Sequence, residues 1–505
     1  MSNEAHASTP EEGPQRVPKA PAARRREWLR RFFIVLAPAL AVSLLLLGPP
    51  DLLTGQEWRL VICLVWMVLW WISEAVPVPV TGMLPLILFP MMRIQPEADV
   101  AASYAHPLIF LFVGGLFLGA AVERTGLHRR LALAIVSLMG GSAPRLVAGF
   151  MLAAAGLSMW ISNTAAAVMM FPLVLSVIHV AEQHMDKEDA RNLGRALMLG
   201  MAWSCSIGGV ASLVSSPPTG MLAAYMAQNH DVHLTFLKWL IVGGTYVIFM
   251  LPITWAWLSF VSYRLQDLSV DALTEEMRKE RAELGPMTSE QRLAGVLFAS
   301  AAVLWLFRSV IVDVTGLPLS DANIALLVAL ATFSISVRKP QLPAGRGPLL
   351  DWEHGAKINW SVIFIFGGGL AIGNAFHATG LTQTLGALVA QLGPLPLPIL
   401  VTITTGAVSA MTELMSNTAT TAAMLPIVDA VATAFDADPV VLLIPIAIIA
   451  TTSFMLPIST PPNTIVFAWK HLHISDMLRA GVAMNFVALI LTVTISLTVA
   501  RWVFG

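Results

Sequence analysis

Two stretches place small polar side chains inside apolar sequence, SMWISNTAAAVMMFP at 158–172 and TELMSNTATTAAMLP at 412–426. Each carries a Ser-Asn-Thr tripeptide, Ser162-Asn163-Thr164 and Ser416-Asn417-Thr418. Hydroxyls and carboxamides donate hydrogen bonds to anions and offer neutral oxygens to hard cations. Hydrocarbon satisfies none of these groups, so both tripeptides must sit against protein or line a wet cavity. A single tripeptide of this kind ordinarily bonds its own backbone or joins neighbouring helices. Two copies ask for more. Asn163 and Asn417 lie 254 residues apart, and the same spacing aligns FVGGLFLGAAVERTGL (112–127) with FGGGLAIGNAFHATGL (366–381), placing Gly114 on Gly368 and Gly119 on Gly373. The chain is an internal duplication, and its glycine runs have the composition of close-packing faces.

A second pair of features breaks apolar runs at matching places. SSPPTG (215–220) and LPISTPPNTIVF (456–467) each contain a Pro-Pro pair, and Pro217 and Pro461 lie 244 residues apart. Two prolines remove two N–H donors, so a helix must open there and restart. Each restart, and each tripeptide, sets a helix N-terminus worth roughly +0.5 charge, so four of them supply roughly +2. That sum suits a dianion, and it comes from motifs containing no Arg or Lys. Asn163 and Asn417 have the chemistry to serve an anion and a cation together.

The elements that hold these motifs belong to a membrane. Of the 505 residues 56% are hydrophobic and 12% charged, against about 25% charged in soluble domains. Mean hydropathy is +0.73. The net charge of −1 provides no field for nucleic acid, and Cys63 and Cys205, both in apolar segments, provide no disulfide framework. There is no P-loop, HExxH or GxSxG run, so neither ATP hydrolysis nor enzymatic catalysis is expected. Residues 1–31 are expected to be a disordered cytoplasmic tail, because RRREWLRR (24–31) abuts the first apolar segment. Residues 32–263 form the first membrane repeat, 264–292 a charged cytoplasmic linker and 293–505 the second repeat. The amphipathic stretch Leu127–Gly140, with Arg129 and Arg130, should lie on the cytoplasmic surface, and its counterpart at 381–392 outside. Glu413, beside the second tripeptide with no acidic counterpart in the first, suits an orienting role. His377 suits a satisfied or interfacial position. Inverted repeats, broken helices and matched polar motifs together point to a secondary transporter with a midplane site.

SMWISNTA, the first Pro-Pro break, TELMSNTAT and MLPISTPPN, in this order, resemble the divalent anion:sodium symporter family, carriers of dicarboxylates, citrate and sulfate. WISEAVPVPVTGMLPL (71–86) and LSDANIALL (319–327) extend the resemblance over about residues 30–505. It implies an all-α integral membrane protein with about eleven transmembrane helices and two re-entrant hairpins. It also implies a homodimer in a bacterial plasma membrane, and a transport domain that moves like an elevator. The substrate, most simply a C4 dicarboxylate such as succinate, would be held by Ser162, Asn163, Thr164, Ser416, Asn417 and Thr418, with Ser216, Pro217, Thr460 and Pro461. Sodium ions, the coupling ions, would take oxygens from Ser158, Ser162, Asn163 and Ser215 at one site. Thr412, Met415, Asn417 and Ser459 would form the other. No organic cofactor is implied. Ser215, Thr219 and Met415 depart from the residues common at these positions. A sodium-independent dicarboxylate exchanger, or a sulfate or citrate carrier of the family, would share these features, whereas a channel or an embedded enzyme would not need them.

Overall fold

A computed structural model describes residues 21–139, 141–265, 270–339, 345–391 and 393–505. Among the described residues the regular structure is helical apart from one small antiparallel sheet, in which Ser336–Arg338 pairs with Arg346–Pro348. Among the described residues seven helices are long and apolar enough to cross a bilayer, and an eighth span results if Ser289–Leu306 and Arg308–Thr315, bent by 70°, act as one. The apolar segments Pro439–Thr451, Asp321–Ser334 and Val78–Met91 are shorter.

Each tripeptide opens a helix for the same local reason. Ser162 is extended (φ −61°, ψ 145°), and its Oγ accepts the Ala165 N–H at 3.2 Å, capping Asn163–His184. Ser416 repeats this (φ −64°, ψ 141°), accepting from Ala419 N at 3.2 Å and capping Asn417–Ala434. Serine is among the best N-cap residues, which explains why the chain turns at the serine of each motif. Ala143–Ser158 and Leu397–Thr412 run up to these turns, so each half contains a helical hairpin. The prolines restart the broken helices where a missing N–H costs nothing. Lys187–Val210 resumes at Pro217–Asn229, and Pro439–Thr451 resumes at Pro461–Val466.

The two halves interlock. Pro217–Asn229 packs against Asn417–Ala434 and Pro439–Thr451 of the second repeat, while Pro461–Val466 packs against Asn163–His184 and Lys187–Val210 of the first. Phe112 and Phe366, related by the repeat spacing, meet with ring centroids 4.8 Å apart, as a pseudo-twofold axis requires. The glycine runs are close-packing faces. A Cβ on Gly369 would lie 2.4 Å from Met221, one on Gly373 2.5 Å from Tyr225, and one on Gly119 3.1 Å from Ile161.

One boundary differs from the sequence reading, and one segment carries structure the reading did not specify. The first helix begins at Pro21, inside the segment expected to be disordered, because Ala, Arg and Glu sustain a helix ahead of the apolar run; residues 1–20 lie outside the described residues. The charged segment 264–292 contains the helix Asp271–Glu283, packed on Leu127–Leu138 and Asn163–His184. Arg129 meets Glu280 at 3.4 Å, Arg281 donates to Ser137 Oγ at 2.8 Å, and Ser176 donates to Glu280 at 3.0 Å. The amphipathic helix therefore uses Arg129 and Arg130 to hold this segment, with Arg130 donating to the Leu284 and Gly285 carbonyls at 2.9 Å each.

Gly208 lets the first broken helix touch the first hairpin backbone to backbone, since a Cβ there would lie 2.3 Å from the Ala155 carbonyl oxygen. Gly208→Ala is expected to destabilise the protein by about 1–3 kcal/mol, the scale of overpacking. Gly156→Ala, where nothing lies within 4 Å of the added carbon, should not. Thermal unfolding of both variants in detergent checks the contrast.

Candidate functional site

Next to each tripeptide is a buried cluster of oxygens. Ser158 Oγ lies 2.7 Å from Asn163 Oδ1 and 2.6 Å from the Cys205 carbonyl. Thr412 Oγ1 lies 3.0 Å from Asn417 Oδ1 and 2.9 Å from the Ala450 carbonyl. Ser158 is 0% exposed and Thr412 1%. Asn417 Nδ2 donates to the Thr451 carbonyl at 3.5 Å, which turns Oδ1 of that carboxamide toward Thr412. Each hydroxyl has one proton and faces two acceptor oxygens, so one oxygen–oxygen contact in each cluster contains no proton. Ser453 Oγ, 3.3 Å from Thr412, sends its own proton to Thr412 and leaves that shortage unchanged. Neutral oxygens crowded in excess of protons are the donor set of a hard cation.

The loops at the breaks carry the remaining predicted residues. Ser215 Oγ turns back to the Gly209 carbonyl (3.0 Å) and Ser459 Oγ to the Leu456 carbonyl (2.7 Å), so neither hydroxyl points at its cluster and only their carbonyls are left to serve it. Gly209 belongs to the first cluster's wall, since a Cβ there would lie 2.3 Å from Asn163 Oδ1. Thr219, in the place of the second break's Asn463, donates toward the Ser216 and Ser212 carbonyls at 2.7 and 3.0 Å. Asn463 does the same task with one contact more, its Nδ2 meeting the Ser453 and Leu456 carbonyls at 3.2 and 3.1 Å and Ser459 Oγ at 3.2 Å. Met415 is 5% exposed. Its N–H is held by the Met411 carbonyl at 3.0 Å.

The four helix N-termini begin at Asn163, Pro217, Asn417 and Pro461. Ser162, Ser416 and Thr460 accept backbone N–H bonds as caps, Thr460 from Asn463 N at 3.3 Å. Ser216 does not cap its helix; its Oγ lies 3.0 Å from Thr451 Oγ1, joining the two repeats. Among the described residues no hydrogen bond links the two hairpin tips directly. Thr164 and Pro461 are exposed, while Thr418 and Pro217 are half-buried. A cavity of about 510 Å³ opens at the first tip, between Ser162, Ile161 and Gly119 and a charged rim of Glu123, Arg124, His354 and Lys357. Arg124 pairs with Asp351 at 2.7 Å. Partial burial pulls the Asp351 carboxyl upward, but hydrogen bonds from His354 and the Arg124 charge prevail and hold it below the usual carboxylate range.

Sequence reasoning did not find the Cys205 and Ala450 carbonyls, Thr451 or Ser453, because backbone oxygens leave no residue-type signal. Glu413 has the orienting place expected of it. Its carboxylate accepts from the Phe454, Met455 and Leu456 N–H groups at 3.0, 3.2 and 3.1 Å and from Asn485 Nδ2 at 2.7 Å, fixing the second break loop. His377 is satisfied by Asp429, a carboxylate the sequence did not single out. Asp429 is fully buried and is met by Tyr225 Oη at 2.7 Å, His377 Nε2 at 3.2 Å and His230 Nε2 at 2.9 Å.

A helical, apolar chain of two interlocked repeats, with polar clusters at broken helices and hairpin tips, defines a membrane transport protein rather than an enzyme. Residues 25–505 match the family model described as the sodium:sulfate symporter transmembrane region, and the chain belongs to that family, the divalent anion:sodium symporters. It is 33% identical over 471 residues to the sodium-dependent dicarboxylate transporter SdcS of Staphylococcus saprophyticus, covering 92% of this chain and 90% of that protein. SdcS of Staphylococcus aureus strain USA300 is 33% identical over 481 residues, covering 94% and 91%. MtrF of Neisseria gonorrhoeae, from a class of antimetabolite efflux pumps, shares the fold with a TM-score of 0.55 at 14% identity, covering 92% of this chain and 98% of MtrF.

If the proton-poor clusters take sodium, replacing potassium with sodium should raise the thermal midpoint of the purified protein, since a ligand bound only by the native state stabilises it. Ser158→Ala and Thr412→Ala should each weaken the sodium response at least about tenfold in concentration, the scale for disturbing a metal site's supports. Midpoints titrated against sodium at constant ionic strength provide the check.

Proposed function

We propose that the protein is a sodium-coupled transporter of C4 dicarboxylates such as succinate, working as a homodimer by elevator-type alternating access. The observation that carries this reading is the pair of mirrored oxygen clusters, each one proton short and each sharing its asparagine with a tripeptide at a helix N-terminus. The 33% identity with the sodium-dependent dicarboxylate transporters supports both the ion and the substrate class.

In this reading Ser158, Asn163 and the Cys205 and Ser215 carbonyls hold one sodium ion, with Ser162 beside them. Thr412, Asn417 and the Ala450, Met415 and Ser459 carbonyls hold the other. Sodium supplies the missing positive charge at each cluster and draws the asparagine oxygen inward, leaving the amide N–H groups of Asn163, and the one Asn417 N–H not given to the Thr451 carbonyl, to face the substrate. The dicarboxylate then meets the caps Ser162, Ser416 and Thr460, with Asn163, Thr164, Asn417, Thr418 and Ser216 around it and the helix starts at Pro217 and Pro461 behind. Electrostatic attraction from roughly +2 of helix dipole and the sodium charge binds the dianion without fixed cations, so it can also leave. The basic loops around Lys357 favour the cytoplasmic side for the 510 Å³ cavity, which makes this conformation inward-open.

Proteoliposomes carrying an inward sodium gradient should accumulate labelled succinate, and those with potassium or choline in place of sodium should not. Uptake that ignores sodium and instead requires internal dicarboxylate would mean exchange and defeat the symport reading. Asn163→Ala and Asn417→Ala should each reduce uptake at least about a hundredfold while the protein still elutes as a folded species in size-exclusion chromatography, because each removes a ligand shared by ion and substrate.

A further inference from the structure

The four hydroxyls at the helix starts are not equivalent donors. Ser162, Ser416 and Thr460 accept backbone N–H bonds, at 3.2, 3.2 and 3.3 Å, and among the described residues none donates its own proton to the protein. Those three protons are available to a carboxylate. Ser216 differs. Its Oγ lies 3.0 Å from Thr451 Oγ1, and both side chains are sealed, at 1% and 0% exposure. The direction of that bond follows from proton counting. Thr451 Oγ1 has one proton and lies 2.8 Å from the Ala447 carbonyl, which can only accept. Thr451 therefore donates to Ala447 and accepts from Ser216. The Ser216 proton is committed, and only its lone pairs face elsewhere.

A hydroxyl turned this way repels a carboxylate. We infer that Thr451 is a positioning residue that competes with the substrate for the Ser216 proton, so that dicarboxylate binding exchanges the Ser216–Thr451 bond between the repeats for a Ser216–carboxylate bond. The inference rests on the proposed transport function and refines it. Ser216 starts the helix Pro217–Asn229 of the first repeat, and Thr451 ends the helix Pro439–Thr451 of the second. The Thr451 carbonyl also accepts from Asn417 Nδ2 at 3.5 Å, so the same residue touches the second oxygen cluster. Substrate arrival thus releases one repeat from the other at the residue that borders an ion cluster. The second break has no such brake, because Thr460 is held as a cap and retains its proton.

The sign of the effect sets this role apart from simple support. Thr451→Val keeps the shape, removes the acceptor and frees the Ser216 proton. Succinate affinity in sodium, measured by calorimetry on the purified full-length protein, should therefore rise about three- to tenfold, the fold-change of one neutral hydrogen bond no longer broken on binding. Thr451→Ser keeps the acceptor and should bind as the wild type does. Ser216→Ala should bind more weakly, and adding Thr451→Val to it should bring no gain, which places the effect on the shared bond. If wild type binds succinate and Thr451→Val binds it equally or less well, or if Thr451→Val still tightens binding in the Ser216→Ala background, the competition does not exist. If wild type itself binds no succinate in sodium, the transport reading falls and this inference with it.

Discussion

The structure depends on one shortage: buried oxygens near the middle of the apolar chain outnumber the protons available to them. Ser158 and Thr412 each face a carboxamide oxygen and a helix carbonyl with a single proton. A folded chain avoids such contacts unless something compensates, because an unpaired buried polar group costs about 1–3 kcal/mol. Everything around the clusters serves to hold them in this condition. The serine caps set the helix starts, Glu413 pins three N–H groups of the second break loop, and Thr219 and Asn463 bind the loop carbonyls that are not needed.

Duplication makes this arrangement twice, and interlocking joins the copies into one core. Each broken helix passes its second part to the other repeat, so neither cluster can relax alone. The glycine runs permit the approach. Gly373 accepts the ring of Tyr225 and Gly369 the tip of Met221, and both partners belong to the helix that restarts at Pro217. The same seam holds Asp429 among Tyr225 and His230, from one helix and its C-terminal cap, and His377 from another. The glycines make the faces smooth at this seam, and the buried carboxylate ties the elements across it.

Much of this was legible in the sequence because the signals are chemical and repeated. Ser-Asn-Thr twice at one spacing, Pro-Pro twice and matching glycine runs give the duplication, the hairpin turns and the helix breaks, since serine caps and proline restarts act locally. Position in space was less legible. Thr451 looks like one more threonine in an apolar helix, and only the fold brings it against Ser216, 235 residues away. The Cys205 and Ala450 contributions are carbonyls, which every residue has. Asp429, Tyr225, His230 and His377 carry recognisable chemistry, but only Tyr225 and His230 are near each other in the chain, and Asp429 and His377 lie far from them and from each other. The packing of segment 264–292 was hidden for a different reason. Its charges mark a surface, and they gave no indication that Glu280 and Arg281 hold it to the amphipathic helix.

The absence of Arg and Lys from the motifs fits coupling better than it fits affinity alone. A buried guanidinium would hold a dicarboxylate whether or not sodium were present, because its charge does not depend on a second ligand. Helix N-termini supply roughly half a charge each and fall short of securing a desolvated dianion. In the proposed reading a cation in each oxygen cluster would close that gap through Asn163 and Asn417, and substrate binding would then be conditional on the ion. Fixed charge lies instead at the rim and is balanced there, Arg124 by Asp351 and Lys357 by Glu353, with Glu123 also lining the cavity.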